Sequence, residues 1–337
     1  MDRRSLIAGL TGAAGIAALG GLAALNACQP RREPTDRYGR TRIRFATDWR
    51  AQAEHGGFYQ AVANGSYSRR DLNVEIIQGS PTVDVPQLLA SGQAELGMGS
   101  NAFIPMNLTA EGAPVSVVAA FFQKDPQVLI AHPDAALTSI ADLAERPFLL
   151  ADASINAFWP WLKARYGFTD SQVRPYTFNP APFLADPRAV QQGYLTSEPH
   201  TLEATDGFQP RVFSLADEGY PSYANMLLCP DTLMRDNRSV VARFIEASVE
   251  GWQSYLNDDP APADTLIKRA NPQMTQDLLT WGRDQLIANE IVVSPGGRIG
   301  DMSAARWEAF FTATSEAGIY SPDVDWRSAF TLDFLRS

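Results

Sequence analysis

From Thr41 onwards the chain alternates short apolar runs with amphipathic stretches, and few folds accommodate that alternation. Ile43-Arg44-Phe45-Ala46 reads as a strand, His55 to Ala63 as a helix closed by Gly65, and Val74-Glu75-Ile76-Ile77 as the next strand. Ser80-Pro81 has the pattern of a helix start, with Val85, Leu88 and Leu89 as its buried stripe as far as Gly92. Glu95 to Met98 is a third strand, and the helix after it begins at Ser100-Asn101. Val115 to Phe122 and Gln127 to Ala131 are continuous apolar runs, as in strands buried on both faces. Such alternation predicts an α/β architecture with largely parallel sheets.

After the first forty residues, roughly three hundred remain, more than one small core needs and enough for two lobes. A second lobe is expected from His132. It contains a strand at Pro147 to Ala151, a helix from Ser154 to Tyr166 ended by Gly167, and strands at Val173 to Phe178, Gly193 to Ser197 and Arg211 to Ser214. Tyr223 to Cys229 is a further apolar run. The last third is helical: Val241, Phe244, Ile245, Val249, Trp252 and Leu256 share one face. Ser303 caps a helix carrying Trp307, Phe310 and Phe311, which stops at Gly318; these aromatics read as core.

The N-terminus reads as an address. Arg3-Arg4 precede a Gly- and Ala-rich apolar run from Leu6 to Leu25, too weakly hydrophobic for a membrane span and suited to a signal segment. The paired arginines resemble a twin-arginine export signal, with an ordinary secretory signal as the alternative. Leu25-Asn26-Ala27-Cys28 resembles a lipobox, so residues 1–28 are read as an export signal ending at an acylated Cys28, with 29–40 as tether. Asn26 departs from the usual small or apolar residue. That assigns the protein to the periplasm, tethered to the membrane by a lipid anchor.

The remaining composition excludes more than it selects. The 38 acidic against 28 basic residues lack the basic footprint that nucleic acid demands. The three histidines, His55, His132 and His200, have no metal-ligand spacing, and Cys229 has no disulfide partner once Cys28 carries lipid. No metal and no cofactor is expected.

The segment that opens the first helix is the informative one. Thr47-Asp48-Trp49-Arg50-Ala51-Gln52-Ala53-Glu54-His55-Gly56-Gly57-Phe58-Tyr59, then Gln87 to Gly97, Phe121-Phe122-Gln123 and Gly251-Trp252, together resemble ABC-importer substrate-binding proteins for thiamine-pyrimidine precursors, riboflavin and related nitrogen heterocycles. Nitrate, sulfonate and taurine binders share much of the pattern and supply the alternative ligand class. The resemblance implies an α/β type II periplasmic-binding fold, with two lobes of mostly parallel sheets joined by two hinge crossings. These are placed near Ala131–Pro133 and Pro221–Ala224. Lobe one would then be 41–131 with 223–337, and lobe two 132–222. It also implies a monomer that closes on a small-molecule ligand and delivers it to an importer permease and ATPase.

Ligands of parallel α/β sheets sit beyond the C-terminal strand ends, near helix N-termini. In the first lobe those ends are Asp48-Trp49, Ser80 and Ser100-Asn101. Trp49 offers a flat face for a heteroaromatic ring, and Asn101 both a donor and an acceptor. Glu54 and His55 pair with a ligand's polar edge or cap the helix. From the second lobe, Trp159 is the expected stacking partner, while Phe158 and Trp161 read as core. Glu198 stands where the family places an acid for a ligand amino group, and Tyr223 and Asn225 are rim candidates on the returning strand.

The same family contains eukaryotic thiamine pyrimidine synthase, which uses a lysine Schiff base with pyridoxal phosphate and its own histidine. In this chain the corresponding stretch, Met98-Gly99-Ser100-Asn101-Ala102-Phe103-Ile104, holds neither lysine nor histidine, and one cysteine remains of its cysteine-rich run. A Schiff base needs an amine, so no catalytic residue is assigned and the chain is read as a non-enzyme.

Overall fold

The apolar runs pair into two separate sheets. The computed structural model describes residues 34–207 and 209–335, so the signal, Cys28 and the first part of the tether lie outside the described residues. The strands are β1 (Thr41–Ala46), β2 (Leu72–Ile77), β3 (Leu96–Gly99), β4 (Val115–Phe122), β5 (Gln127–Ala131), β6 (Phe148–Leu150), β7 (Val173–Pro175), β8 (Val190–Tyr194), β9 (Arg211–Ser214) and β10 (Ala224–Pro230). One sheet has the order β2-β1-β3-β10-β4, the other β7-β6-β8-β5-β9. In the first, β1 runs parallel to β2 and β3, and β10 runs antiparallel to β3 and β4. In the second, β6 runs parallel to β7 and β8, and β5 runs antiparallel to β8 and β9. Each reversed strand is the one that has just arrived from the other lobe. This is the type II periplasmic-binding fold that the motifs implied.

The helices are α1 (Gly56–Ala63), α2 (Val85–Ala90), α3 (Phe103–Ala110), α4 (Asp152–Ile155), α5 (Phe158–Tyr166), α6 (Ala181–Ala185), α7 (Glu198–Asp206), α8 (Asp231–Asp236), α9 (Arg238–Asn257), α10 (Ala261–Ala270), α11 (Gln276–Ala288) and α12 (Ala304–Glu316). The spacing read in α9 buries Val241, Phe244, Ile245 and Trp252 against β1, β4 and α1. Gly57 and Gly251 let α1 and α9 approach closely, since a Cβ on Gly251 would lie 2.2 Å from the Gly57 carbonyl oxygen and one on Gly57 would strike the Trp252 ring. Part of the His-Gly-Gly-Phe motif therefore serves packing.

The structure corrects several boundaries. β5, placed by its sequence in lobe one, is hydrogen-bonded between β8 and β9, so the first crossing is Gln123–Pro126 and not Ala131–Pro133. An apolar strand buried on both faces suits either sheet, and hydrophobicity alone does not say which. Helix α2 starts at Val85, capped by the Asp84 carboxylate, which accepts from the Gln87 N–H at 3.0 Å, while Ser80-Pro81 sit in the preceding turn. The expected Ser154–Tyr166 helix is broken into α4 and α5, because Ala157 has a non-helical backbone (φ −113°, ψ −100°). On the hinge side the two lobes share one core. Phe103 packs edge-on to Phe310 at 4.9 Å, Phe310 meets Tyr220 at 6.4 Å, and Tyr220 meets Trp161 at 5.1 Å.

Candidate functional site

The end of β1 is held in place by its own side chains. The Thr47 hydroxyl donates to the Trp49 carbonyl at 3.0 Å, which also accepts from the Gly79 N–H at 3.0 Å. Gly79 lies so close that a Cβ there would sit 2.4 Å from the Asp48 carbonyl carbon. Asp48 and Trp49 are thereby displayed, half-buried, at the C-terminal edge of the first sheet. A 3-10 turn over Ala53–His55 follows and leads into α1. His55 Nδ1 accepts from the Gln52 N–H at 3.4 Å, which turns Nε2 towards Asp48 Oδ1, also at 3.4 Å. His55 thus braces the turn before α1 and lies beside Asp48.

Glu54 is one point at which the lobes meet. Its carboxylate accepts from the Thr196 hydroxyl of the second lobe, and its backbone carbonyl accepts from Asn225 Nδ2 at 2.6 Å. Asn225 is 3 % exposed, its backbone is left-handed (φ +48°), and its Oδ1 makes no hydrogen bond. Glu198, at the start of α7, accepts from the Tyr194 N–H at 2.8 Å and from the Ser197 hydroxyl. Burial pushes the Glu54 carboxyl above the usual carboxylate range; the Thr196 hydrogen bond and the nearby His55 oppose this, and the Glu198 carboxylate adds to it. The Tyr194 phenol is held far above its ordinary range, first by burial and then by the carboxylates of Asp125, Asp48, Glu54 and Glu198 around it. Burial, with the nearby acids adding to it, thus keeps this phenol protonated.

An aromatic contact closes the same cleft. Trp49 of the first lobe meets Phe178 of the second with ring centroids 4.8 Å apart and planes at 49°. Phe178 in turn lies 5.3 Å from Tyr176. Its backbone is left-handed (φ +61°), a conformation that costs about 1–2 kcal/mol for a residue with a Cβ. Further along the rim, His200 of α7 stacks on Trp281 of α11 at 5.0 Å and pairs with Asp277 at 2.8 Å.

Several expected site residues lie elsewhere. Trp159 is fully buried in the second lobe, packs against Phe148 at 5.1 Å, and donates from Nε1 to Asp170 at 2.8 Å. It is core, like Phe158 and Trp161. Tyr223 is not at the rim: its hydroxyl accepts from the Ser303 N–H at 3.0 Å, and Arg306 lies over its ring at 4.2 Å. Asn101 caps the turn into α3, accepting from the Phe103 N–H at 3.0 Å, with the half-buried Ser100 beside it. Phe178, Tyr194 and Thr196 went unrecognised as site residues in the sequence. Asn179-Pro180 was the available signal for Phe178, because that dipeptide marks a turn where the apolar run suggested continued strand.

The arrangement places a π face, that of Trp49, near carboxylates, which accept hydrogen bonds. Comparison with known proteins agrees with the fold and narrows the family. The alkanesulfonate-binding protein SsuA from Xanthomonas axonopodis pv. citri bound to MOPS superposes with a TM-score of 0.64 at 14% identity, over 89% of this chain and 99% of that one. The desulfurization enzyme DSZB superposes with a TM-score of 0.58 at 12% identity, over 88% of this chain and 97% of that one. At such identities the likeness shows the fold alone. The riboflavin-binding protein RibY of Chloroflexus aurantiacus is 23% identical over 319 residues, 87% of this chain and 86% of that protein. The formylaminopyrimidine-binding protein of Halalkalibacterium halodurans is 23% identical over 295 residues, 84% of this chain and 87% of that protein. The sequence pattern described as NMT1/THI5 like matches residues 52–263, more than half of the chain and most of both lobes, and the chain therefore belongs to the NMT1/THI5-like family.

Proposed function

We propose that this chain is the extracytoplasmic solute-binding component of an ABC importer, and that its lobes close on a small amino-substituted nitrogen heterocycle of the thiamine-pyrimidine-precursor or riboflavin class. The observation that carries this reading is the half-buried face of Trp49 with two carboxylates near it, Asp48 at 3.4 Å from His55 Nε2 and Glu54 bonded to Thr196 of the other lobe. Carboxylates accept hydrogen bonds from ring amino groups, and the indole face takes the ring. The names of the riboflavin- and formylaminopyrimidine-binding relatives support the same class. A sulfonate or nitrate would meet like charge there. The nearby arginines are engaged, Arg50 with Gln273 at 2.9 Å and Arg306 with the Pro221 and Ser222 carbonyls at 3.1 and 2.9 Å.

The reading includes export, a lipid anchor at Cys28, and a monomer that docks on a permease and ATPase. It is a non-catalytic role, since the Met98–Ile104 stretch offers no amine for a Schiff base. Calorimetry with formylaminopyrimidine, riboflavin, nitrate and taurine tests it. We expect a ring ligand to bind and Glu54→Gln to weaken that binding about tenfold or more, the loss of one charge-assisted hydrogen bond. Tight binding of nitrate or taurine, with none of either ring, overturns it.

A further inference from the structure

The aromatic contact between the lobes rests on a residue in an unfavourable conformation. A left-handed backbone at a bulky aromatic residue is rare outside sites where the surroundings hold it. Phe178 is also 43 % exposed, so burial within its own lobe does little to hold it there. The segment is otherwise an ordinary turn: β7 ends at Pro175, and the Asn179 side chain accepts from the Ala181 N–H at 3.0 Å at the start of α6. Within that turn the left-handed step at 178 points the ring at Trp49, 4.8 Å away in the other lobe. Tyr176 backs it at 5.3 Å.

We propose that Phe178 is the second lobe's half of a ring clamp: a planar ligand ring inserts between Phe178 and Trp49, and the left-handed backbone at 178 exists to aim the phenyl ring. The inference rests on the reading of the chain as a binder of an aromatic heterocycle and assigns the residue that selects for planarity. A ring between two others needs a centroid separation of about 7 Å, two contacts of roughly 3.5 Å each. The present 4.8 Å therefore widens by about 2 Å when the ligand enters, and the 49° between the planes flattens. Lobe rotation about the crossings supplies that movement. Carboxylates on one edge and π faces above and below then select a flat, amino-bearing ring over a tetrahedral sulfonate.

The test uses Phe178→Asn and Phe178→Tyr in the full mature chain. Asparagine tolerates the left-handed backbone but has no ring, so Phe178→Asn should melt, ligand-free, no lower than wild type. With riboflavin and formylaminopyrimidine as probes, Phe178→Asn should weaken binding about 10–100-fold, while Phe178→Tyr restores most of the affinity. Wild-type affinity in Phe178→Asn for a probe that wild type binds overturns the clamp. If wild type binds neither probe, the ligand class of the proposed function fails, and the clamp is then judged without ligand. Acrylamide quenching of Trp49, obtained by difference from Trp49→Phe, should rise in Phe178→Asn and return in Phe178→Tyr. Unchanged quenching overturns it.

Discussion

Asp125 gives a prediction whose size follows from the structure. It lies in the first crossing and is 2 % exposed. Its Oδ1 accepts from the Gln127 N–H at 3.0 Å, and its Oδ2 makes no hydrogen bond. The groups facing it come from both crossings and both lobes. They are the Tyr220 phenol, itself buried without a partner, the Tyr194 phenol, the Ser222 hydroxyl and the Arg306 guanidinium of α12. The Ser222 hydroxyl is taken, donating to the Tyr223 carbonyl at 2.6 Å. Burial pushes the carboxyl up to about 7 from an ordinary 3.8, against the pull of the Gln127 N–H, Ser222 and Arg306.

Between those two values the folded protein keeps a proton that the unfolded chain has released. The contribution of Asp125 to stability is therefore intact below the ordinary value and is lost as pH rises towards 7. At about 1.4 kcal/mol per pH unit, the full interval corresponds to on the order of 4 kcal/mol. Asp125→Asn removes the titration while its amide oxygen still accepts from Gln127. In urea unfolding followed by circular dichroism, the variant should exceed wild type by only about 1 kcal/mol at pH 4.5, which is about 0.7 pH units above the ordinary 3.8. At pH 8 it should exceed wild type by on the order of 3–4 kcal/mol. An equal difference at both pH values would refute the argument, because it would mean that Asp125 is ionised throughout.

Two further tests separate cleft from core. Trp49→Ala should weaken binding of the ring probe about 10–100-fold with nearly unchanged ligand-free melting, whereas Trp159→Ala should lower stability by roughly 3–5 kcal/mol with little direct effect on affinity. Thermal scans and calorimetry on the same preparations check both, and a destabilised Trp49→Ala would move that residue into the core. Gly251→Ala puts a methyl group against the Gly57 carbonyl and should cost roughly 1–3 kcal/mol, measured by urea midpoint; a wild-type midpoint would show that α1 and α9 separate freely.

The order of strands and helices was legible from the sequence because it depends on local matters: apolar period, turn residues and caps. The buried stripe of α9, the first strand at Ile43 to Ala46 and the acid-aromatic character at Asp48-Trp49 are all local and stand where the pattern put them. The motifs around Glu54 and Gly57 also identified the family, although Gly57 serves helix packing and not the ligand. Long-range pairing set the rest. β5 is equally apolar in either sheet, and its lobe was settled only by the strands available to hydrogen-bond it. Trp49 and Trp159 both follow a strand and both read as ring faces. One reaches the cleft because Gly79 and Thr47 hold its backbone at the sheet edge, while the other is drawn into the second lobe by Phe148 and Asp170. Phe178 meets Tyr176 within its own segment and Trp49 across the cleft, and the second contact exists only in the tertiary structure. The charge at the site is likewise a tertiary property: Asp48, Glu54 and Glu198 all act on the Tyr194 phenol only because two crossings bring the lobes face to face, and burial there raises the Glu54 carboxyl.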